Sequence, residues 1–445
     1  MTNTAIKVRG FYPVYAGDFE LSRPDPGPIA EGSGAAFTVR LHGVPLGMLI
    51  LDPGRAHAGA DAITAAAVTL FADAIRQHLF ADGLADVELP GALTAPITCR
   101  VQLHPVEPPP TVSVVICTLG TDEQLPAAMR SLLDQDYPRD RYEILLVDND
   151  PGSGPARAVL DSLDDADSDR IRYVSQPVRG IPNARNAGIA AASCDVVAFV
   201  DDDVIADPGW LRAIAATITE SPLIDAVTGL VLPASLQTQA EQLFEVACGF
   251  DKGYARQVWT TDRTSQAIRE LGPVGNGGPL FPFSVGRFGT GANMAFRAES
   301  LRRIGGFDPV MTNSEDIDIL FRIIFGGGVV VYEPQALVRH HHGDKASATA
   351  RQMHNYGVGF SAFLTKQFLH TPGAARRILA LTPAGLLTMI RGRRNQVWTV
   401  DPTPTGQSLP VTLPRNLGVA EARGLVRGPA KYLSTRHRHN RARRN

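Results

Sequence analysis

Three runs of apolar residues, each followed at once by polar residues, constrain the fold of this chain more than any other feature. Runs of this length, separated by helix-length segments, are typical of parallel strands that are buried on both faces. The runs are Val112–Cys117, Tyr142–Val147 and Asp195–Val200, and the polar residues that follow them begin at Thr118, Asp148 and Asp201. Because ligands bind at the carboxyl ends of such strands, we expect one site at this edge of an α/β sheet.

The chain of 445 residues is long for a single domain, and its 44% hydrophobic and 20% charged residues are typical of a globular protein. We predict five segments along it. They are a small α/β accessory domain over 1–104, a Pro-rich linker over 105–110, the main α/β domain over 111–342, a helical extension over 343–400, and a basic tail without periodic pattern over 401–445.

The accessory domain carries no recognisable chemistry in its sequence. The segment Phe37–Leu51 predicts two short strands joined by a tight turn at His42 and Gly43. The segment Asp61–Phe80 is rich in alanine and has apolar residues at helical spacing, which predicts a helix.

The four cysteines, Cys99, Cys117, Cys194 and Cys248, show no CxxC spacing. We interpret them as reduced, small apolar residues, and not as a disulfide framework or a zinc site. No basic segment followed by an apolar run opens the chain, and the apolar stretch Ile378–Ile390 is too short to span a membrane. We therefore expect a cytoplasmic protein.

The clearest candidate site is the cluster Asp201-Asp202-Asp203 after the third apolar run. Clustered carboxylates raise one another's pKa unless a cation neutralises them, and Mg²⁺ or Mn²⁺ commonly bridges carboxylates to substrate phosphates. The alternative is an acidic loop or a helix N-cap before the segment 208–211. The position directly after a buried strand favours a metal site.

Two further segments at the same edge admit two interpretations each. The segment Asp148–Asp150 is either a turn stabilised by local backbone hydrogen bonds or a site for a nucleotide base or ribose. The segment 179–188 brings Arg179 and Arg185 to the start of a helix, where they would bind phosphate or remain solvated.

The segment 315–318 and three histidines at 340–342 supply further candidates. Carboxylates at Glu315 and Asp316 begin a helix, where they are favoured in any case, but one of them in a site would serve as a general base. His340 and His342 alternate along a strand end, so both face one side. An imidazole would complete an aspartate metal site and favour Mn²⁺ over Mg²⁺.

In this order along the chain, the segments together resemble family 2 of the inverting glycosyltransferases, which have the GT-A nucleotide-sugar fold. The resemblance runs from Val112 to His342. The segments that carry it are Val-Ser-Val-Val-Ile-Cys-Thr (112–118), Val-Asp-Asn-Asp (147–150), Ala-Arg-Asn-Ala-Gly (184–188), Asp-Asp-Asp (201–203), Gly-Gly-Phe-Asp (305–308), Glu-Asp-Ile-Asp (315–318) and the histidines.

The resemblance implies a GT-A catalytic domain over 111–342 and a role for each candidate residue. For the donor, it implies a nucleoside pocket lined by Thr118, Asp148 and Asn149, a diphosphate near Arg185, a ribose near Asp202, and Mn²⁺ or Mg²⁺ on Asp203, Asp201 and His340. For the acceptor, it implies Asp316 as the catalytic base, with Glu315, Gly291 and Asn293 on the acceptor side.

The function that the resemblance implies is inverting transfer of a sugar from a nucleotide-diphosphate sugar to an acceptor hydroxyl. The acceptor is a glycan, a lipid-linked molecule or a small molecule, in polysaccharide, glycolipid or secondary-metabolite glycosylation. Cys117, Leu119-Gly120 and Asn149 depart from the family's pattern and leave the nucleotide open. The alternatives are a sugar nucleotidyltransferase, which is disfavoured because the loop 119–124 has no basic residue, and an inactive glycan-binding module.

The basic residues of segment 423–445 are not accompanied by any acidic residue. Such a segment either contacts an anionic membrane surface, at the inner face of the membrane, or remains a solvated tail. We expect no nucleic-acid partner, because the net charge is −2 and Tyr432 is the one aromatic residue in the segment.

Overall fold

The computed structural model describes residues 11–84, 88–89, 91–95, 98–105, 107–163, 167, 170–343, 346–383, 409, 416–442 and 444. These residues form two sheets, one of three strands and one of nine. The strands are β1 Val14–Glu20, β2 Gly34–Leu41, β3 Val44–Leu51, β4 Val112–Thr118, β5 Tyr142–Asp148, β6 Ile171–Ser175, β7 Val196–Asp201, β8 Val204–Ala206, β9 Ile224–Pro233, β10 Gln257–Trp259, β11 Asn293–Arg297 and β12 Val329–His340.

The helices lie mainly on the two faces of these sheets. Three belong to the accessory unit: α1 Pro53–Ala56, α2 Ala60–Leu70 and α3 Ala72–Ala81. The others are α4 Leu125–Leu133, α5 Pro155–Asp161, α6 Ile181–Ala191, α7 Trp210–Thr219, α8 Gln239–Cys248, α9 Gln266–Glu270, α10 Ala298–Ile304, α11 Glu315–Phe325, α12 Ala346–His370 and α13 Asn416–Ala442.

The accessory unit has the hairpin that the sequence predicts. Strands β2 and β3 pair antiparallel, and the turn between them contains His42 and Gly43, both with positive φ. Such a two-residue turn matches the right-handed twist of the strands. The helix expected over 61–80 is instead two helices that break at Phe71, whose ring fills the space above Gly47.

The accessory unit packs against the main domain through ion pairs. Arg40 Nη2 lies 2.6 Å from Asp207 Oδ2, and Arg339 Nη2 lies 2.9 Å from Asp18 Oδ1. Asp207 follows β8, and Arg339 precedes the last residue of β12. The accessory unit therefore contacts the strand ends that carry the predicted site residues.

The nine-stranded sheet has the order β10-β12-β9-β11-β7-β4-β5-β6, with β8 paired to β12. Strands β4, β5, β6, β7, β9 and β12 run in one direction, while β8, β10 and β11 run opposite to them. The expected α/β class with a mostly parallel sheet is confirmed. The central strands are apolar throughout because helices cover both faces.

The C-terminal segments form a pair of long helices, α12 and α13. Residues 374–383 are also helical, which agrees with the predicted helical extension as far as residue 383. Residues 384–400 lie outside the described residues. The prediction of an unstructured tail is wrong for residues 416–442, which form α13.

The sequence pattern does not predict α13, because the glycines that allow its close packing are poor helix formers. Gly424 and Gly428 on α13 face the backbone of α12. Gly357 on α12 faces the backbone of α13. Glycine lowers intrinsic helix propensity, so these residues argue against a helix when the sequence is read alone. Here the missing Cβ atoms let the two backbones approach, and Tyr432 is buried between α13 and the domain.

Among the described residues, no helix combines the length and apolar character needed to cross a membrane.

We predict that Gly424→Ala destabilises the protein, while Gly418→Ala on the same helix does not. A Cβ at Gly424 would collide with the carbonyl oxygen of His354, whereas no atom lies within 4 Å of a Cβ at Gly418. We expect a loss of about 1–3 kcal/mol for Gly424→Ala, measured by thermal melting of both variants. Equal melting temperatures would contradict glycine-dependent helix packing.

Candidate active site

The carboxyl ends of β4, β5 and β7 meet at one edge of the sheet, as predicted. In the strand register Thr118 lies opposite Asp148, and Cys117 lies opposite Asp201. The polar residues after three separate strands therefore form one continuous surface. This part of the sequence prediction is confirmed.

Strand β12 brings His340 to the same surface. The short strand β8 pairs antiparallel with β12, so that Val204 lies opposite His340, and the N–H of His341 donates to the carbonyl of Asp203 at 2.9 Å. Ligand atoms of Asp201, Asp203 and His340 lie within 4.8 Å of one another. We call these three residues the carboxylate–imidazole cluster.

The electrostatics of the cluster favour a bound cation. Burial and the neighbouring carboxylates of Asp201 and Asp202 raise the pKa of Asp203 to about 8. Burial, opposed by the hydrogen bond from Thr118, raises the pKa of Asp202 to about 6. A divalent ion would remove the cost of holding these carboxylates ionised together.

The imidazole and the free oxygen of the cluster also fit a metal. Burial and the nearby His342 lower the pKa of His340 to about 4, so His340 is neutral at pH 7 and keeps a lone pair for a ligand bond. Asp203 Oδ1 lies 3.3 Å from His340 Nε2 and accepts no hydrogen bond from the described residues. Two carboxylates and one imidazole form a donor set that suits Mn²⁺ or Mg²⁺.

Aromatic residues from α8 and the loop after it hold the histidines in place. Phe244 stacks on His342 with ring centroids 4.2 Å apart, and Phe250 contacts the His340 ring edge-on at 5.3 Å. His342 Nε2 lies 3.0 Å from Glu245 Oε2. His342 therefore supports His340 from the same side of the strand, as the alternation predicts.

On the predicted nucleoside side, Thr118 and Asp148 are buried and bonded within the protein. Thr118 Oγ1 donates to Asp202 Oδ2 at 2.5 Å. The Tyr173 hydroxyl donates to Asp148 Oδ2 at 2.7 Å, and the N–H of Asp150 donates to Asp148 Oδ1 at 2.9 Å. The nucleoside role of both residues stays a prediction.

Asn149 acts on the protein's own backbone. Its Nδ2 donates to the carbonyls of Gln176 and Val178, and its Oδ1 accepts from the N–H of Gly180 at 2.7 Å. Both amide hydrogens are therefore used within the protein, and the nucleoside role of Asn149 stays a prediction. Asn149 fixes the loop that leads into α6.

Arg185 is buried and does not present its guanidinium to solvent. Nη1 donates to Glu315 Oε1 at 2.9 Å, and Nη2 donates to Asp201 Oδ1 at 3.0 Å and to the carbonyl of Gly291 at 3.1 Å. The guanidinium carbon lies 5.5 Å from the centroid of the Phe307 ring. Arg185 thus connects β7, α11 and the loop before β11, and it also lines the cavity described below. Its predicted role near the diphosphate stays a prediction.

The predicted base, Asp316, lies in the first turn of α11 beside Gly291. The N–H of Gly291 donates to Asp316 Oδ2 at 2.9 Å, and the N–H of Ile317 donates to Oδ1 at 2.7 Å. Each oxygen keeps further acceptor capacity. A Cβ at Gly291 would lie within 3.0 Å of Arg185 Nη1 and Nη2, so only glycine leaves room for this contact.

Two of the three predicted acceptor-side residues, Asn293 and Glu315, are buried and bonded within the protein. Asn293 is buried, with Oδ1 accepting from Trp210 Nε1 at 2.9 Å and Nδ2 donating to the carbonyls of Leu230 and Ala336. The Glu315 carboxylate is paired with Arg185, and burial, opposed by Arg185, raises its pKa to about 7. Glu315 also lines the cavity described below, and the acceptor-side role of both residues stays a prediction.

A cavity of about 810 Å³ opens beside these residues and is lined by Asp201, Asp203, His340, Gly291 and Asp316. The fold thus brings Asp316 to the same cavity as the carboxylate–imidazole cluster, although these residues are separated in sequence. The rest of the wall comes from α8, α11, α12, α13 and the loops at 249–252 and 280–292.

The cavity wall contains residues that sequence analysis missed. The side chains that make it largely apolar are Phe244, Phe250, Met353, Phe360, Leu364, Ile378, Leu381 and Leu425. Asp251 and Lys252 are half-buried beside it, and burial raises the pKa of Asp251 to about 6 and lowers the pKa of Lys252. In the sequence, the adjacent Asp251 and Lys252 could have indicated a site. An Asp-Lys pair in a loop, however, looks the same as an ordinary solvated pair.

Known proteins share this domain. Residues 113–305 match the sequence model of Glycosyl transferase family 2. A pre-mycofactocin glycosyltransferase from Mycobacterium tuberculosis is 31% identical over 164 residues, which are 37% of this chain and 30% of that protein. The matched part is therefore less than a third of that relative's length.

A glucosyl-dolichyl phosphate glucuronosyltransferase from Haloferax volcanii is 25% identical over 244 residues, covering 52% of this chain and 68% of that protein. Among solved structures, a mannosyltransferase from Pyrobaculum calidifontis, in complex with GDP-Man and Mn²⁺, aligns with a TM-score of 0.42. It is 16% identical and covers 82% of this chain and 98% of that chain. Residues 113–305, which include Asp201 and Asp203 of the carboxylate–imidazole cluster, are thus similar to glycosyl transferase family 2.

Proposed function

We propose that this chain is a metal-dependent, inverting glycosyltransferase that transfers a sugar from a nucleotide-diphosphate donor to a hydroxyl group. One observation carries this proposal: Asp316 lines the same cavity as Asp201, Asp203 and His340. A candidate base and a candidate cation site in one cavity are the two elements that a single displacement at an anomeric carbon requires. The family of the α/β domain supports the same reaction class.

Asp203, Asp201 and His340 are the residues that would hold Mn²⁺ or Mg²⁺. When bound, such an ion supplies Lewis-acid stabilisation of the negative charge that develops on a leaving diphosphate. Thr118 holds Asp202 in place beside the cluster, and Arg185 fixes Asp201 from the buried side. These contacts orient the ligands and leave Asp203 Oδ1 without a hydrogen bond from the part of the chain that the structure describes.

Asp316 accepts the proton of the acceptor hydroxyl in this proposal. The hydroxyl oxygen forms a bond to the anomeric carbon while the bond from that carbon to the diphosphate oxygen breaks, and the diphosphate takes the electron pair. A single displacement inverts the anomeric centre and requires no nucleophile from the protein. The N–H groups of Gly291 and Ile317 hold the Asp316 carboxylate in one orientation.

The cavity wall supports an acceptor with an apolar body. Apolar side chains from α8, α12, α13 and the segment 374–383 form most of the wall, while polar groups gather near Asp316 and the cluster. An amphipathic acceptor would place its hydroxyl at Asp316 and bury its apolar part against Phe360, Leu364 and Leu425. This arrangement favours a lipid-linked or aromatic molecule over a free sugar.

Helix α13 also supports contact with an anionic membrane surface. Its exposed face carries Arg423, Arg427 and Arg438, and Val426 and Leu433 lie on the same side with 80% and 51% of their surface exposed. Basic residues interleaved with exposed apolar residues on one helix face are typical of helices that lie at a membrane interface. Contact through this face would place the enzyme at the inner side of the membrane.

We predict that Asp203→Asn removes the metal-dependent part of nucleotide-sugar binding. Loss of a charged ligand weakens the cation site, so a thermal-shift screen of UDP-, GDP- and dTDP-sugars should lose the increment that Mn²⁺ adds for the wild type. Transfer should fall about 100-fold or more. Asp195→Asn, at the opposite end of β7, is the control, and a full Mn²⁺ increment in Asp203→Asn would refute the metal site.

We predict that Asp316→Asn abolishes transfer while donor binding remains. Loss of the base should lower kcat by a factor of about 10²–10⁴, because the amide does not accept the proton. The Mn²⁺-dependent thermal shift with the donor should match that of the wild type. Glu299→Gln, which lies in the first turn of α10, is the control.

Product identity separates this function from its alternatives. A glycosyltransferase releases a nucleoside diphosphate, a nucleotidyltransferase releases pyrophosphate, and a glycan-binding module releases neither. Normal turnover by Asp316→Asn would show that another residue is the base.

We predict that the full chain sediments with vesicles that contain phosphatidylserine and not with pure phosphatidylcholine vesicles. Each basic residue near an anionic surface contributes about 1 kcal/mol, so the pair Arg427→Glu and Arg438→Glu should lower binding more than 10-fold. The matched control reverses Arg23 and Arg55, which are exposed on the accessory unit. Equal sedimentation of the two double variants would exclude α13 as the contact.

A further inference from the structure

The accessory unit contains a second cluster of metal-ligating side chains, far in sequence from the active site. It consists of His42, His78, Asp82 and Cys99, whose ligand atoms lie within 4.8 Å of one another. We call it the N-terminal cluster. His78, Asp82 and Cys99 are buried, and the side chain of His42 is 8% exposed.

The distances within the N-terminal cluster approach the edges of a tetrahedron of zinc ligands and are slightly shorter than them. Asp82 Oδ2 lies 3.0 Å from His42 Nδ1 and 3.0 Å from His78 Nε2, and the two nitrogens lie 3.1 Å apart. Cys99 Sγ lies 3.4 Å from His78 Nε2. Four-coordinate zinc with bonds of about 2.0–2.3 Å has ligand atoms about 3.3–3.5 Å apart, with the longer edges at sulfur.

Hydrogen bonding alone accounts poorly for this arrangement. One carboxylate oxygen and two ring nitrogens form an almost equilateral triangle, so two N–H groups aimed at Asp82 Oδ2 would crowd each other. Hydrogen-bond donors around one oxygen normally spread along its lone-pair directions. A cation at the centre removes the conflict, because the nitrogens then present lone pairs and not hydrogens.

Backbone groups around the cluster orient the remaining ligand atoms. The N–H of Arg100 donates to Asp82 Oδ1 at 2.7 Å, which leaves Oδ2 for the cluster. Backbone N–H groups of Val101 and Gln102 point at the Cys99 sulfur. Such outer contacts are the usual support of metal ligands.

We propose that the N-terminal cluster is a structural zinc site, in which His42, His78, Asp82 and Cys99 are the four ligands. Imidazole, carboxylate and thiolate are all zinc ligands, and a closed four-ligand set is typical of structural sites. The site ties together the β2–β3 turn, the end of α3 and the segment 98–105 that leads toward β4. It thereby fixes the accessory unit to the chain that enters the catalytic sheet.

The test uses Co²⁺ as a spectroscopic substitute for zinc in the full-length chain. A thiolate bonded to Co²⁺ gives a charge-transfer absorption in the near ultraviolet, and the carboxylate–imidazole cluster has no sulfur ligand. We expect this band in the wild type and in Asp203→Asn, with about one zinc per chain by mass spectrometry of the metal. Cys99→Ser should lose the band, while Cys194→Ser should keep it.

Two outcomes would overturn the proposal. One is a wild-type protein that, purified without chelators, holds no zinc and develops no thiolate band with Co²⁺. The other is a Cys99→Ser variant that keeps the band. Should Cys99→Ser fail to fold, zinc X-ray absorption on the wild type decides the question, since the proposal requires one sulfur neighbour at about 2.3 Å.

Discussion

The buried guanidinium of Arg185 is the contact on which the geometry of the active site depends. It joins Asp201 at the end of β7, Glu315 at the start of α11 and the carbonyl of Gly291 before β11. Burial of a charge is costly unless it is paired and hydrogen-bonded, and here two carboxylates and a carbonyl satisfy it. The pairing holds the helix that carries Asp316 against the strand that carries the carboxylate–imidazole cluster.

The same arrangement explains how carboxylates are divided between support and chemistry. Glu315 and Asp201 pair with Arg185, while Asp316 accepts a hydrogen bond from Gly291 and Asp203 lies beside His340. All four carboxylates line the cavity. Neighbours in sequence thus have different roles, because adjacent residues at a helix start or a strand end point in different directions. Replacing one partner of the Arg185 network would leave a buried charge without compensation, which costs more than the pair contributes when intact.

The cavity depends on elements that are remote from the sheet edge. Helices α12 and α13 supply much of its apolar wall, and their close approach depends on Gly357, Gly424 and Gly428. The proposed acceptor surface is therefore assembled from the C-terminal third of the chain. The basic face of α13 lies on the same helix as the cavity residue Leu425, so membrane contact and acceptor binding would be adjacent.

The strand ends were predictable because each strand is a local apolar run and its polar end is read directly from the sequence. Thr118, Asp148 and Asp201 meet because parallel strands place their carboxyl ends at one edge, which is a general property of such sheets. His340 was predictable from its alternation with His342 and from the family resemblance. The strand β8, which pairs with β12 beside His340, was not predictable, because three residues are too few for a recognisable pattern.

The contacts that sequence patterns did not predict are those of side chains whose hydrogen-bond partners lie far away in sequence. Asn293 bonds to Trp210, and Arg185 bonds to Glu315, 130 residues away. Nothing local distinguishes a buried, satisfied amide or guanidinium from one that faces a ligand. The same holds for His42, His78, Asp82 and Cys99, of which just His78 and Asp82 are close in sequence.

The sequence by itself determined the class of the fold, the edge of the sheet where the site lies and the carboxylates at that edge, because these follow from local apolar patterning. Tertiary structure decided which polar atoms remain free, how the long C-terminal helices close the cavity, and that four separated residues of the accessory unit converge. The physical reason is that burial and pairing are properties of contacts between distant segments, which no local pattern records.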